Sequence, residues 1–104
     1  MKTKSVCNTE LSYDVLSRMA QVLKLLAHSR RLKIIEILEG VDEAPVHDIV
    51  ERLGLPQGPT SQHLNQMRRA NLISAERRGK EVWYRIADRR SLTILNCIRG
   101  KGGK

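Results

Sequence analysis

Residues 57–66 read Gln-Gly-Pro-Thr-Ser-Gln-His-Leu-Asn-Gln, a run rich in neutral side chains that donate and accept hydrogen bonds. In a DNA major groove, Gln and Asn can bond adenine through two atoms at once, and Ser or Thr hydroxyls suit bases or phosphates. A helix that opens on such residues also offers a phosphate its free backbone N–H groups and its dipole. Further along, Arg77-Arg78-Gly79-Lys80 is a basic turn able to reach phosphates or a minor groove. The bland alternative for the first run is a solvated helix face, but a face made only for solubility would more naturally use Glu and Lys. The candidate DNA-contacting residues are therefore Gln57, Thr60, Ser61, Gln62, His63, Gln66, Arg77, Arg78 and Lys80.

Other chemistry is sparse. Cys7 and Cys97 lie near opposite ends of the chain. They form a candidate thiol sensor only if the fold brings them together, because a disulfide needs Cα atoms within about 7 Å. Their bland reading is a buried, small Cys97 and an incidental exposed Cys7. No nucleophile–base pair stands out, and no cluster of His, Cys, Asp or Glu has metal-ligand spacing. We therefore expect no enzyme activity, no cofactor and no resident metal.

The composition agrees with a polyanion partner. The chain has 104 residues, 19 Lys+Arg against 11 Asp+Glu, and a formal net charge of +8. Residues 1–67 are electrically neutral, with eight basic and eight acidic side chains, and the whole excess lies in residues 68–104. Only Tyr13, Trp83 and Tyr84 are aromatic. That argues against single-stranded or RNA binding by base stacking, and for a duplex read through its groove. No apolar run approaches the ~18 residues of a membrane span, and the N-terminus has no apolar signal-peptide core, so a cytoplasmic chain is expected. One domain over residues 9–99 is expected, with flexible ends at 1–8 and 100–104.

The elements that must position these residues follow from period and punctuation. Residues 9–27 read as a helix capped by Thr9, with Leu11, Val15, Met19, Val22 and Leu26 on one stripe. Leu16, Ala20, Leu23 and Ala27 lie beside it, so this helix is apolar on two sides and suggests a second subunit. Ser29 caps a helix over 30–39 that Gly40 ends, and an acidic loop covers 41–45. Pro45 opens a short helix with Val46, Ile49, Val50 and Leu53 on one face, stopped by Gly54. The next helix runs from Gln57 to Ala70 and turns Leu64 and Met67 inward, with Asn71 as its stop. Residues 72–77 and 81–86 are strand-like around the turn Arg78-Gly79-Lys80. Asp88 caps a last helix over 89–99 with Leu92, Leu95 and Ile98 as its stripe. The order is α1-α2-α3-α4-β-β-α5. Its third and fourth helices have helix-turn-helix proportions, and a hairpin directly after a recognition helix is a wing. The fold class is mainly α with a small β-hairpin, a winged helix-turn-helix.

The sequence here resembles the bacterial ArsR/SmtB winged-helix repressors. The resemblance rests on Leu25-Leu26-Ala27-His28-Ser29-Arg30-Arg31-Leu32-Lys33-Ile34, on Thr60 to Ile73, and on the wing from Arg77 to Ile86 with Trp83-Tyr84-Arg85. It covers about residues 11–99. It implies a homodimer built on the first and last helices, binding an imperfect inverted repeat in double-stranded operator DNA, with repression relieved by an effector. It also implies that Gln57, Thr60, Ser61 and Gln62 take the family's base- and phosphate-contacting places, while Pro56 stands where the family often has a capping Ser. A non-specific basic nucleic-acid binder without an inducer is the first alternative. A winged helix that binds only protein is the second, and it would want a neutral or acidic recognition face.

For the effector, the resemblance directs attention to metals and thiols. Pro45 and His47 occupy the places of a family Cys-x-Cys pair. Asp88 matches a family carboxylate ligand, but Arg90 stands where a His is expected, so Asp88 is read as a helix cap. His28 and His63 fall at structural or DNA-facing places. Some relatives sense oxidants, persulfides or soft metalloids with two cysteines, which leaves Cys7 and Cys97 as the candidate pair, although they do not sit where the dithiol sensors place theirs. The inducer, whether small molecule, oxidant or metalloid, is not written in the sequence.

Overall fold

The computed structural model describes residues 10–100. Helix α1 spans Tyr13–Leu26, α2 Ser29–Val41, strand β1 Glu43–Pro45, α3 Val46–Leu53 and α4 Gln57–Arg69. Strands β2 (Ile73–Arg78) and β3 (Glu81–Ile86) form the hairpin, and α5 spans Arg90–Ile98. The three strands make one antiparallel sheet in the order β1-β3-β2.

The core is aliphatic, as a chain without Phe requires. Ile34, Ile35 and Leu38 of α2, Ile49 of α3, Leu64 and Met67 of α4, and Leu72 and Ile73 at the hairpin are all fully buried. Tyr84 is the one aromatic among the buried hydrophobic residues. Helix α2 is the central element: four consecutive-turn residues, Ile34, Ile35, Ile37 and Leu38, are buried, so it packs on more than one side.

Several boundaries differ from the sequence expectation, each for a local reason. Thr9 lies outside the described residues, and Ser12 caps α1 by accepting from the Val15 N–H at 3.2 Å. Leu11 therefore precedes the helix. At α2 the cap is His28, whose Nδ1 accepts the Arg30 N–H at 3.3 Å, one residue before the expected Ser29. Gly40 does not end α2; the chain turns at Asp42, whose φ is 70°. The expected acidic loop contains β1, in which Glu43, Ala44 and Pro45 face Arg85, Tyr84 and Trp83 of β3. Pro45 is thus the last strand residue, and α3 starts at Val46.

Other punctuation works as expected. Gly54 ends α3 with φ 74°, where any Cβ would be strained. Asn71 ends α4 in the same left-handed region (φ 63°). Its N–H donates to Arg68 O and the Leu72 N–H donates to Met67 O, which is the bonding of a Schellman stop. That stop delivers Leu72 straight into the core and starts β2. At the last helix the N-cap position is Arg89, one residue after the expected Asp88, while Asp88 still accepts the Arg90 N–H at 3.0 Å.

Candidate nucleic-acid interface

Helix α3 and helix α4 are joined by Gly54-Leu55-Pro56, and the left-handed Gly54 makes that turn abrupt. Helix α4 is seated by Thr60, Leu64 and Met67, at i, i+4 and i+7, all with no exposed surface. The opposite stripe carries Gly58, Gln62, Asn65 and Arg69, at i, i+4, i+7 and i+11, and all four are exposed. No side chain caps the helix start at Pro56. Gln57 is exposed beside it and Ser61 is half-buried at the edge of the stripe.

Three of the expected contact residues hold other places. Thr60 is buried and its hydroxyl donates to the Pro56 carbonyl at 3.0 Å, so it secures the first turn of α4. His63 and Gln66 lie on the flank of α4 that meets α2. There the Arg31 guanidinium donates to His63 Nδ1 at 3.1 Å and to Gln66 Oε1 at 2.6 Å. Burial, reinforced by His28, Arg31 and Arg30, pushes His63 below the ordinary imidazole value.

The wing divides its three basic residues. Gly79 supplies the positive φ of the two-residue turn (64°), and Arg78 belongs to β2 opposite Glu81, not to the turn. Strand alternation puts Arg78 on one face with Glu76. Its guanidinium pairs with Glu43 at 2.7 Å and Glu76 at 2.9 Å and lies 4.8 Å from the centre of the Trp83 ring. These carboxylates raise the Arg78 pKa, Glu43 foremost, and the Arg78 hydrogen bond holds Glu43 below the usual carboxylate range. Arg78 is therefore a brace between the wing and β1. Arg77 and Lys80 remain exposed and in no ion pair among the described residues, as do Arg68 and Arg69 at the end of α4.

Apolar side chains are exposed on other elements. Leu16 (43% exposed) and Leu23 (50%) of α1, Tyr13 (85%), Leu11 (56%) and Ile98 of α5 (65%) present their side chains to solvent. Cys97, read as buried in the bland view, is exposed and free on α5; Cys7 lies outside the described residues. Arg90 joins Asp88 at 2.8 Å and reaches Met19 Sδ of α1, and Arg99 joins Glu39 of α2 at 2.7 Å. No described helix is long and apolar enough to cross a membrane.

The sequence reading omitted Asn65 and Arg69, although their spacing from Gln62 puts them on its stripe. It also omitted Arg31 and Glu43, whose partners lie more than 30 positions away; no local signal announces such pairs.

Comparison with known proteins converges on one group. The family model described as bacterial regulatory protein, arsR family, matches residues 28–75. The transcriptional repressor PagR of Bacillus anthracis is 38% identical over 89 residues, covering 86% of this chain and 89% of the relative. Its crystal structure superposes with a TM-score of 0.76 at 34% identity, covering 84% of this chain and 99% of that one. The repressor SmtB of Mycobacterium tuberculosis is 36% identical over 72% of this chain, but the match spans only 55% of that relative's length. A solution structure from Mycobacterium bovis, a homodimeric winged helix-turn-helix DNA-binding domain of a possible ArsR-family regulator, has a TM-score of 0.73 at 29% identity, covering 84% and 80% of the two chains.

Proposed function

The chain belongs to the arsR family of bacterial regulatory proteins, and on that premise we propose that it is an operator-binding transcriptional repressor, acting in the cytoplasm as a homodimer formed by α1 and α5. The observation that carries this reading is the α4 stripe of Gly58, Gln62, Asn65 and Arg69, seated on buried Thr60, Leu64 and Met67, together with the exposed Arg77 and Lys80 of the wing, which form no ion pair among the described residues. Neutral amides at the centre suit base edges, and cations at the margins suit phosphates. The exposed leucines of α1 support the dimer, since a two-fold pair of recognition helices would meet successive major grooves about 34 Å apart on an inverted repeat. The relatives PagR and SmtB bear the name of transcriptional repressors, which supports repression over activation.

The test is binding to a duplex selected by the wild-type chain from a random library. Arg77→Ala and Lys80→Ala should each weaken binding to every sequence and flatten the log–log salt dependence by about one unit. Gln62→Ala should leave the salt slope alone and cut discrimination between selected and random duplex by roughly tenfold. Equal wild-type affinity for selected and random duplex would instead favour a non-specific basic binder.

Relief of repression by an effector belongs to the same proposal, with the exposed Cys97 thiol on α5 supporting a thiol-based one. Modification there would fall on the surface assigned to the dimer. A Cys7→Ser, Cys97→Ser double variant should lose any release from DNA caused by hydrogen peroxide, polysulfide or arsenite. Release identical to wild type with all three agents would end the thiol reading.

A further inference from the structure

We propose that Arg31 is a positioning residue that locks the DNA-reading helix α4 to the end of helix α1, and that this lock requires one neutral tautomer of His63. The proposal rests on the DNA-binding reading above and assigns a role outside the reading face.

One guanidinium serves three acceptors on two helices. Arg31 Nη1 donates to the Leu25 carbonyl in the last turn of α1 at 3.1 Å. Its Nε donates to His63 Nδ1 at 3.1 Å, and its Nη2 donates to Gln66 Oε1 at 2.6 Å. His63 and Gln66 are one helical turn apart on α4, so two bonds fix the rotation of that helix about its axis. The three contacts come from three different guanidinium nitrogens held in one plane; an ammonium carries the charge and three donors, but on a single nitrogen that cannot span these acceptors. Helix α1 carries the apolar face assigned to the dimer, and α4 carries the reading face. Arg31 is thus a polar link between the two, set on the central helix α2 beside a largely aliphatic core.

The link constrains protonation. His63 Nδ1 can accept only with its lone pair free, which places the imidazole proton on Nε2. The titratable and charged groups acting on His63 are His28, Arg31 and Arg30, all basic. The His28 ring meets it edge-on with centroids 4.5 Å apart. Among the described residues no carboxylate offsets a proton there, so protonation removes the acceptor and sets a second cation against Arg31. With its folded pKa depressed, His63 stays neutral and the lock intact below the ordinary imidazole value of about 6.5; folding stability declines as pH falls below that value, and the lock itself opens as pH falls through the depressed one.

The test combines a readout that needs no DNA with one that does. Imidazole NMR of the full chain should show His63 as the Nε2–H tautomer, and Arg31→Met should raise its pKa. On the selected duplex at pH 7.5, Arg31→Met and Arg31→Lys should each bind about tenfold more weakly, with the salt slope unchanged. His63→Asn, whose Oδ1 replaces the Nδ1 acceptor, should bind within about twofold of wild type. Arg31→Met combined with His63→Leu should lose no more than Arg31→Met alone, the non-additivity of a shared link. Thermal unfolding accompanies each variant; if Arg31→Met does not fold, Arg31→Lys and His63→Asn decide. Wild-type affinity in Arg31→Lys, a slope flattened by one unit, or an unmoved His63 titration would overturn the proposal. If the wild-type chain selects no duplex, the DNA-binding reading fails while the NMR arm still judges the link.

Discussion

Leu23→Glu should convert the protein to a folded monomer and abolish operator binding at least a hundredfold. Leu23 is half exposed on α1, in a patch with Leu16 and near-neighbouring exposed Tyr13, and it lies outside the buried core. A carboxylate there is hydrated in the monomer, so the single chain loses little. In a two-fold interface the same change occurs twice, once from each copy. Each unpaired carboxylate withdrawn from water costs several kcal/mol, and each 1.4 kcal/mol is a factor of ten in the dimer constant. A monomer holds one recognition helix and one wing, and so forfeits half of the base and phosphate contacts. Sedimentation equilibrium should report the dissociation, circular dichroism an unchanged helical content, and electrophoretic shift the lost complex. A variant that stays dimeric and binds would move the interface away from this face of α1.

The fate of individual residues shows what was legible in the sequence. The helical order and the hairpin were readable because apolar spacing and Gly54, Asn71 and Gly79 act locally. The burial of Thr60 was readable too, since Thr60, Leu64 and Met67 fall at i, i+4 and i+7; its hydroxyl suggested DNA contact, but the stripe it shares with two core residues decides its direction. Strand β1 was not readable. Three residues ending in proline carry no alternating pattern, and only pairing to β3 makes them a strand. The role of Arg78 depended on that missing strand, because its strongest partner is Glu43 of β1. The hairpin was placed in the chain as expected, yet one of its three basic residues, Arg78, is held by carboxylates of the same chain. Arg31 illustrates the same limit: its value lies in acceptors from α1 and α4, brought together only by packing.

Helix α4 also supplies the sharpest contrast in stability, because its two faces do opposite work two residues apart. Leu64 has no exposed surface and sits between Thr60 and Met67 on the seat of the helix. Leu64→Ala removes buried methyl groups and leaves a cavity, a change that costs about 2–5 kcal/mol. For a domain of this size, 1 kcal/mol moves the midpoint by roughly 4–8 °C, so calorimetry should show a fall of roughly 8–40 °C. Such a loss is a large part of the 5–15 kcal/mol typical of a whole domain, so DNA binding should fade with the folded fraction as temperature rises. Gln62→Ala, on the exposed stripe, should stay within about 0.5 kcal/mol of wild type in stability while its discrimination falls by roughly tenfold. Thr60→Val should resemble neither: it keeps the buried shape, gives up the hydroxyl bond to Pro56, and should leave operator discrimination as it was. If Leu64→Ala melted like wild type, α4 would not be seated through that face. If Thr60→Val relaxed discrimination, the buried threonine would have to swing out when DNA binds.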